Sequence, residues 1–207
     1  MEDYVEDVFI NCPFDEEYRP LFDAMLFVLM ACGFKPRCAL EAIDGSEVRI
    51  EKLFRMIAEC RLAIHDLSRV QLSQPSQLPR FNMPLELGVW LGAKRFGPRQ
   101  RNKVCLILDA EPHRYQKFVS DIAGQDPVPH ADRPDLLVTA IRDWLQTVHP
   151  NRRLPGGHAF AKSFQRFLRN RIGLAKAAGL EIDKLTFLDR VRLVEEWLEV
   201  NTVAPTS

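Results

Sequence analysis

Five apolar residues in a row, Val104-Cys105-Leu106-Ile107-Leu108, run without any polar alternation. This stretch constrains the fold more than any other. A strand that is apolar on both sides must be covered on both faces, which is the position of a parallel strand inside an α/β sheet. Shorter β-type runs precede it. Val8-Phe9-Ile10 is stopped by Asn11-Cys12-Pro13, and Leu62-Ala63-Ile64 leads into His65-Asp66-Leu67-Ser68. Phe34 to Leu40 reads as a further strand, and Pro36 predicts that it lies at or near an edge, because proline cannot donate to a ladder.

Helical periodicity fills the gaps. From about Tyr18 to Cys32, the residues Leu21, Phe22, Met25, Leu26 and Leu29 fall on one face, and Gly33 stands where a left-handed C-terminal glycine is expected. After the turn Asp44-Gly45-Ser46, a second helix is marked by Ile50, Leu53, Phe54, Ile57 and Ala58. A proline-punctuated loop covers 69–80. Pro84 is read as opening a third helix that reaches about Phe96 and closes at Gly97-Pro98, and a fourth runs from Asp135 to Val148. Between 110 and 133 the pattern predicts a short helix around Tyr115–Ile122 and a weak fifth strand near Val128. Strand and helix alternating at short intervals predict right-handed βαβ units in a doubly wound, mostly parallel sheet over residues 1–150.

A small C-terminal helical extension, 151–207, follows a linker-like Asn151-Arg152-Arg153-Leu154-Pro155-Gly156-Gly157. One helix presents Phe160, Phe164, Phe167 and Leu168, and the next presents Phe187, Leu188, Val191, Val194 and Leu198. Two short helices cannot bury such stripes alone, so they are expected to dock on the α/β part or on a second copy. The first is basic and the second carries Asp189, Glu195, Glu196 and Glu199. Opposite charges of this kind are read as packed helices with solvated outer faces, which disfavours nucleic acid as a partner.

Composition narrows the class. The chain has 207 residues, 46% hydrophobic and 27% charged, with 28 basic and 28 acidic side chains. Balanced charge supplies no polyanion-binding signature. The longest apolar stretch, Ala24 to Cys32, is too short to span a membrane, and the acidic start Met1-Glu2-Asp3-Tyr4 lacks the features of a leader. Five scattered cysteines read as thiols in a reducing compartment, so a cytoplasmic protein is expected. Cysteine and histidine spacing predicts no metal, and no cofactor is expected. G-x-G-x-x-G, P-loop, H-E-x-x-H and G-x-S-x-G patterns do not occur.

Ligands of doubly wound sheets bind outside the carboxyl ends of the strands. That rule points to Asn11–Asp15, Asp66–Asn82 and Asp109–Pro112. Asp66 ends the third strand, and Asn82 and Glu86 straddle the start of the third helix. With Pro84 in the first turn, Glu86 is expected beside free N–H groups that hold it ionised. Trp90, four residues on, shares its helix face and is expected to wall the pocket. Gly88 and Gly92, each costing ~1 kcal/mol inside a helix, imply a close approach by a backbone or a ligand. The plain alternative for Glu86 is an acid that complements the helix dipole. For His65 it is a core histidine.

Val8-Phe9-Ile10-Asn11, Ile64-His65-Asp66-Leu67-Ser68 and Asn82-Met83-Pro84-Leu85-Glu86-Leu87-Gly88 together resemble the nucleoside 2-deoxyribosyltransferase and TIR superfamily of bacterial proteins. The resemblance covers roughly 5–150. It implies a flavodoxin-like fold, self-association and cleavage of an N-glycosidic bond, with Glu86 as the catalytic carboxylate and Asp66 as a ribose or base ligand. The sequence departs from the pattern at Arg80, where deoxyribosyltransferases carry an aspartate, and at Asn82-Met83-Pro84-Leu85, where TIR enzymes carry a serine- or cysteine-containing motif. Asn11 beside Asp66 suits ribose hydroxyls. Phe14 and Trp90 suit base stacking, and Arg49 or Arg80 suits a phosphate. Asp15, Ser68 and Asn82 complete the expected contacts. Two functions stay open. One is an N-glycosidase of a nucleotide or nucleoside, NAD being the favoured substrate and bacterial defence the setting implied. The other is a non-catalytic TIR-like module that binds a nucleotide or assembles with copies of itself.

Overall fold

In a computed structural model, residues 6–41, 45–70, 80–122 and 124–203 are described. The N-terminal four residues, Asp44 and most of the loop over 69–80, all read above from sequence, lie outside them. Five strands form one wholly parallel sheet: β1 (Asp7–Asn11), β2 (Lys35–Cys38), β3 (Leu62–Asp66), β4 (Val104–Asp109) and β5 (Val128–Pro129). Their spatial order is β2-β1-β3-β4-β5, with Pro36 on the edge strand as expected. This is the flavodoxin-like doubly wound arrangement. Ile10 pairs with Ile64, and Ile64 with Leu106. Asn11, Asp66 and Asp109 therefore end their strands along one edge.

Six helices occur among the described residues: α1 (Arg19–Ala31), α2 (Arg49–Glu59), α3 (Asn82–Phe96), α4 (Pro134–Val148), α5 (Gly157–Ala177) and α6 (Phe187–Val200). Strand side chains alternate between two cores. Val8, Ile10 and Ile64 face α1 and α4, while Phe9 and Ala63 face Leu53, Met56 and Ile57 of α2 and Trp90 of α3. Gly33 takes φ +79° after α1, and Phe34 N–H donates to Leu29 O at 2.9 Å, closing the helix in a Schellman turn. The segment over 110–133 forms two single 3₁₀ turns, Arg114–Lys117 and Ser120–Ile122, rather than one helix.

The C-terminal helices join the core on the α1 side. Phe27 of α1 is enclosed by Phe164 (5.4 Å), Phe167 (5.5 Å) and Trp197 (5.5 Å). The linker-like segment is tied down, because Arg152 donates to Cys32 O at 2.9 Å and to Glu6 at 2.8 Å. Asp23 of α1, nearly buried, holds Arg190 of α6 at 2.5 Å and also Arg171 of α5. These two pairs seat the start of α6 beside the carboxyl edge of the sheet. No helix among the described residues is long and apolar enough to cross a membrane.

Candidate active site

The strand order reverses between β1 and β3, and a cleft of about 740 Å³ opens there. Phe14 and Asp15 enter from the β1–α1 loop, and Ala39, Leu40 and the start of α2, with Arg49, enter from beyond β2. Asn82 and Glu86 enter from α3. Of the residues expected from sequence, the fold thus brings Phe14, Asp15, Arg49, Asn82 and Glu86 to one cavity.

Glu86 differs from its expected setting. The helix begins at Asn82, two residues before Pro84, so Glu86 is one full turn inside it and no acid occupies the first turn. The free N–H groups do not reach it. Burial instead pushes its carboxyl from 4.5 up to about 7, against a smaller opposing pull from Arg49. This corrects the expectation of a carboxylate held ionised by the helix dipole. The carboxyl opens onto the cleft, half-protonated near neutrality.

Four other expected contacts turn inward and are corrected. Asp66 has no exposed surface. Tyr18 hydroxyl donates to its Oδ2 at 2.5 Å, Ser68 N–H donates to its Oδ1 at 2.7 Å, and His130 Nε2 lies 3.0 Å away. Burial raises its carboxyl, but the His130 partner and these bonds outweigh that and hold it low. It is a structural anchor for the strand ends, and Ser68, equally buried, belongs to the same knot. Asn11 donates from Nδ2 to Met83 O and to His65 Nδ1, both at 2.9 Å, so it ties α3 to β1 rather than facing the cleft. Because that bond makes Nδ1 an acceptor, His65 is neutral, and burial takes its imidazole down to about 3. It is the core histidine of the plain reading.

Trp90 is likewise core. It stacks on Phe9 at 6.3 Å, and the buried Lys103 ammonium lies 4.0 Å above its ring. Arg80 reaches the cleft only through an ion pair with Asp15. Burial raises the Asp15 carboxyl, yet that pair and the Tyr18 N–H bring it below its ordinary value. Nothing among the described residues lies within 4 Å of a Cβ placed at Gly88 or Gly92, so none of them makes the close approach expected there. The Asp109 end is closed off too. Its carboxylate is buried and receives Arg114 Nε at 2.8 Å.

The cleft also has walls that sequence reasoning did not assign. Arg19 and Phe22 of α1 and Lys52 of α2 line it, and so do Thr186, Phe187 and Arg190 at the start of α6. Phe14 meets Phe22 edge-on at 5.4 Å, and Phe22 lies 6.4 Å from Phe187. The three rings make one continuous aromatic part of the cleft wall. Thr186 caps α6, accepting Asp189 N–H at 3.2 Å, which holds Phe187 in place. A Thr-x-x-Asp capping signal is visible in the sequence, but nothing local says that its helix meets the cleft.

A desolvated carboxyl, an adjacent guanidinium of Arg49, an aromatic side and a volume in the range of small-ligand pockets suit a compact, partly charged aromatic ligand. No protein-family model matches the chain, and a search of curated proteins found no match.

Proposed function

We propose that the cleft takes a nucleotide or nucleoside and that Glu86 serves the cleavage of its C1′–N bond, with NAD the favoured substrate. One observation carries this reading: of the acidic side chains that line the cavity at the strand-order reversal, Asp15, Glu47 and Glu86, Glu86 is the one whose carboxyl burial raises to about 7. Breaking the C1′–N bond sends its electron pair to the departing base and leaves positive charge on the sugar. A fixed carboxylate beside C1′ stabilises that charge or captures the carbon, and water completes the hydrolysis. Nicotinamide leaves NAD as a neutral base and needs no proton, so the ionised form of Glu86 is the working form. Arg49 lines the cleft, where a guanidinium suits a phosphate, and Phe14 with Phe22 and Phe187 offers apolar ring surface to a base. The resemblance to the deoxyribosyltransferase and TIR superfamily supports the same chemistry, and extends it to self-association and a bacterial-defence setting in the cytoplasm.

The test is to incubate pure protein with NAD and with deoxynucleosides and to separate free base by chromatography. Release of nicotinamide or of a nucleobase is expected. A second reading, a non-catalytic nucleotide-binding module, is favoured by the burial of Asp66, which removes a ribose ligand that the resemblance implies. Saturable nucleotide binding by calorimetry without any base release would support that reading and refute the first.

A further inference from the structure

Arg190 lies in the C-terminal extension, beyond the residues that carry the resemblance, yet it lines the cleft. Its counter-charge is the nearly buried Asp23, whose Oδ1 receives Arg190 Nη1 at 2.5 Å and whose Oδ2 receives Arg171 Nη1. One carboxylate therefore faces two guanidiniums, and neither arginine meets another acid among the described residues. A positive charge is left over. The Arg171 side chain is 23% exposed against 10% for Arg190, so water relieves the first more than the second.

The acids of the cleft wall do not balance that charge. Asp15 is paired with Arg80 and Glu47 with Arg55, and Glu86 is half-protonated near neutrality. A buried charge without full compensation is unfavourable until an ion of opposite sign joins it. Arginine is suited to receive one, because its planar fork presents five donors. Nη1 is engaged with Asp23, while Nε and Nη2 have no partner among the described residues. Phe187, three residues earlier and on the same side of α6, lines the same cleft. One helix thus brings an aromatic ring and a free guanidinium edge to the site. A ligand that answers both has a flat base and a phosphate, whose oxygens match the fork in bidentate fashion.

We propose that Arg190 is a specificity-determining residue contributed to the cleft by the C-terminal extension, and that it selects a ligand with a nucleoside diphosphate moiety over a free nucleoside by holding a phosphate. Selection by Arg190 rests on the reading that the cleft takes a nucleotide or nucleoside, and decides between the two. It does not depend on the chemistry assigned to Glu86. The extension then has a task besides covering Phe27, since the binding surface is complete only when Asp23 has seated α6.

The experiment is calorimetric titration of the full chain with ADP and with adenosine. Wild type is expected to bind ADP at least about tenfold more tightly than adenosine. Arg190→Gln should lose about tenfold to a hundredfold in ADP affinity and leave adenosine affinity unchanged. Arg171→Gln removes the other partner of Asp23 away from the cleft, so it should change ADP affinity less than about fivefold. Arg190→Lys keeps a cation beside Asp23 and carries the decision if the glutamine variant does not melt cooperatively. It should bind ADP more weakly than wild type, because an ammonium lacks the fork. A wild type that does not bind ADP, or binds adenosine equally well, overturns the proposal. So does wild-type ADP affinity in a folded Arg190 variant, or an equal loss in Arg171→Gln. Base release is read separately. ADP binding through Arg190 without base release refutes the chemistry proposed for Glu86 and leaves the selection standing. Base release from deoxynucleosides by a protein that binds ADP and adenosine alike does the reverse.

Discussion

Glu86→Gln should make the protein more stable and less active at once. Burial lifts the Glu86 carboxyl from 4.5 to about 7. The unfolded chain releases this proton near the lower value and the folded chain near the higher one. Between them the folded state binds more protons, so stability falls as pH rises. The contribution is fully present below about pH 4.5 and lost as pH passes through about 7. At ~1.4 kcal/mol per unit the limit is ~3 kcal/mol, and water on the open side of the cleft reduces it to ~1–3 kcal/mol. Glutamine keeps the shape and carries no proton to lose. At pH 8 the variant should therefore melt roughly 3–8 °C above wild type for a chain of this size. Near pH 4.5 the two should coincide. Base release, in contrast, should fall ~10²–10³-fold, because a group that stabilises charge at C1′ is gone. Differential scanning fluorimetry at several pH values and single-turnover chromatography read the two effects. Glu51→Gln, at an exposed position of α2, is the control and should change neither. A melting difference that is absent at pH 8, reversed or independent of pH would refute the argument from burial. Turnover above about a tenth of wild type would refute the assignment of Glu86.

Arg49 lowers the Glu86 pKa, so Arg49→Ala should shift the rise of activity to higher pH, and should raise KM for a nucleotide more than for a nucleoside; an unchanged pH profile would argue against their proximity. Asp66→Asn should lose ~1–3 kcal/mol in urea denaturation, since the Tyr18, Ser68 and His130 contacts all meet that carboxylate; normal stability with altered substrate preference would return Asp66 to the cleft. Truncation after Pro150 strips Phe164, Phe167 and Trp197 from Phe27 and should leave an aggregating chain; a soluble truncation with a wild-type melt would show that the extension is dispensable to the core.

The alternation of strands and helices was legible from residues alone, and so were the edge position of Pro36 and the turn at Gly33. Each depends on chemistry local to a few neighbours: apolar period, a missing N–H, a positive φ. The same is true of the set Phe14, Asp15, Asn82 and Glu86 at the cleft, because topology alone sends the ends of parallel strands to one edge. What residues turn toward, however, depends on partners far along the chain. Asp66 reads as a ligand by motif, yet Tyr18, 48 residues earlier, and His130, well beyond it, converge on it and bury it. Pro84 reads as a helix start, but the Asn11 bond to Met83 O accompanies an earlier beginning, and Glu86 moves from the dipole into a desolvated wall. Phe187 and Arg190 join the cleft because Asp23, 167 residues before Arg190, draws α6 onto α1. Periodicity and propensity are properties of a segment. Burial and pKa are properties of the space that distant segments close around a side chain.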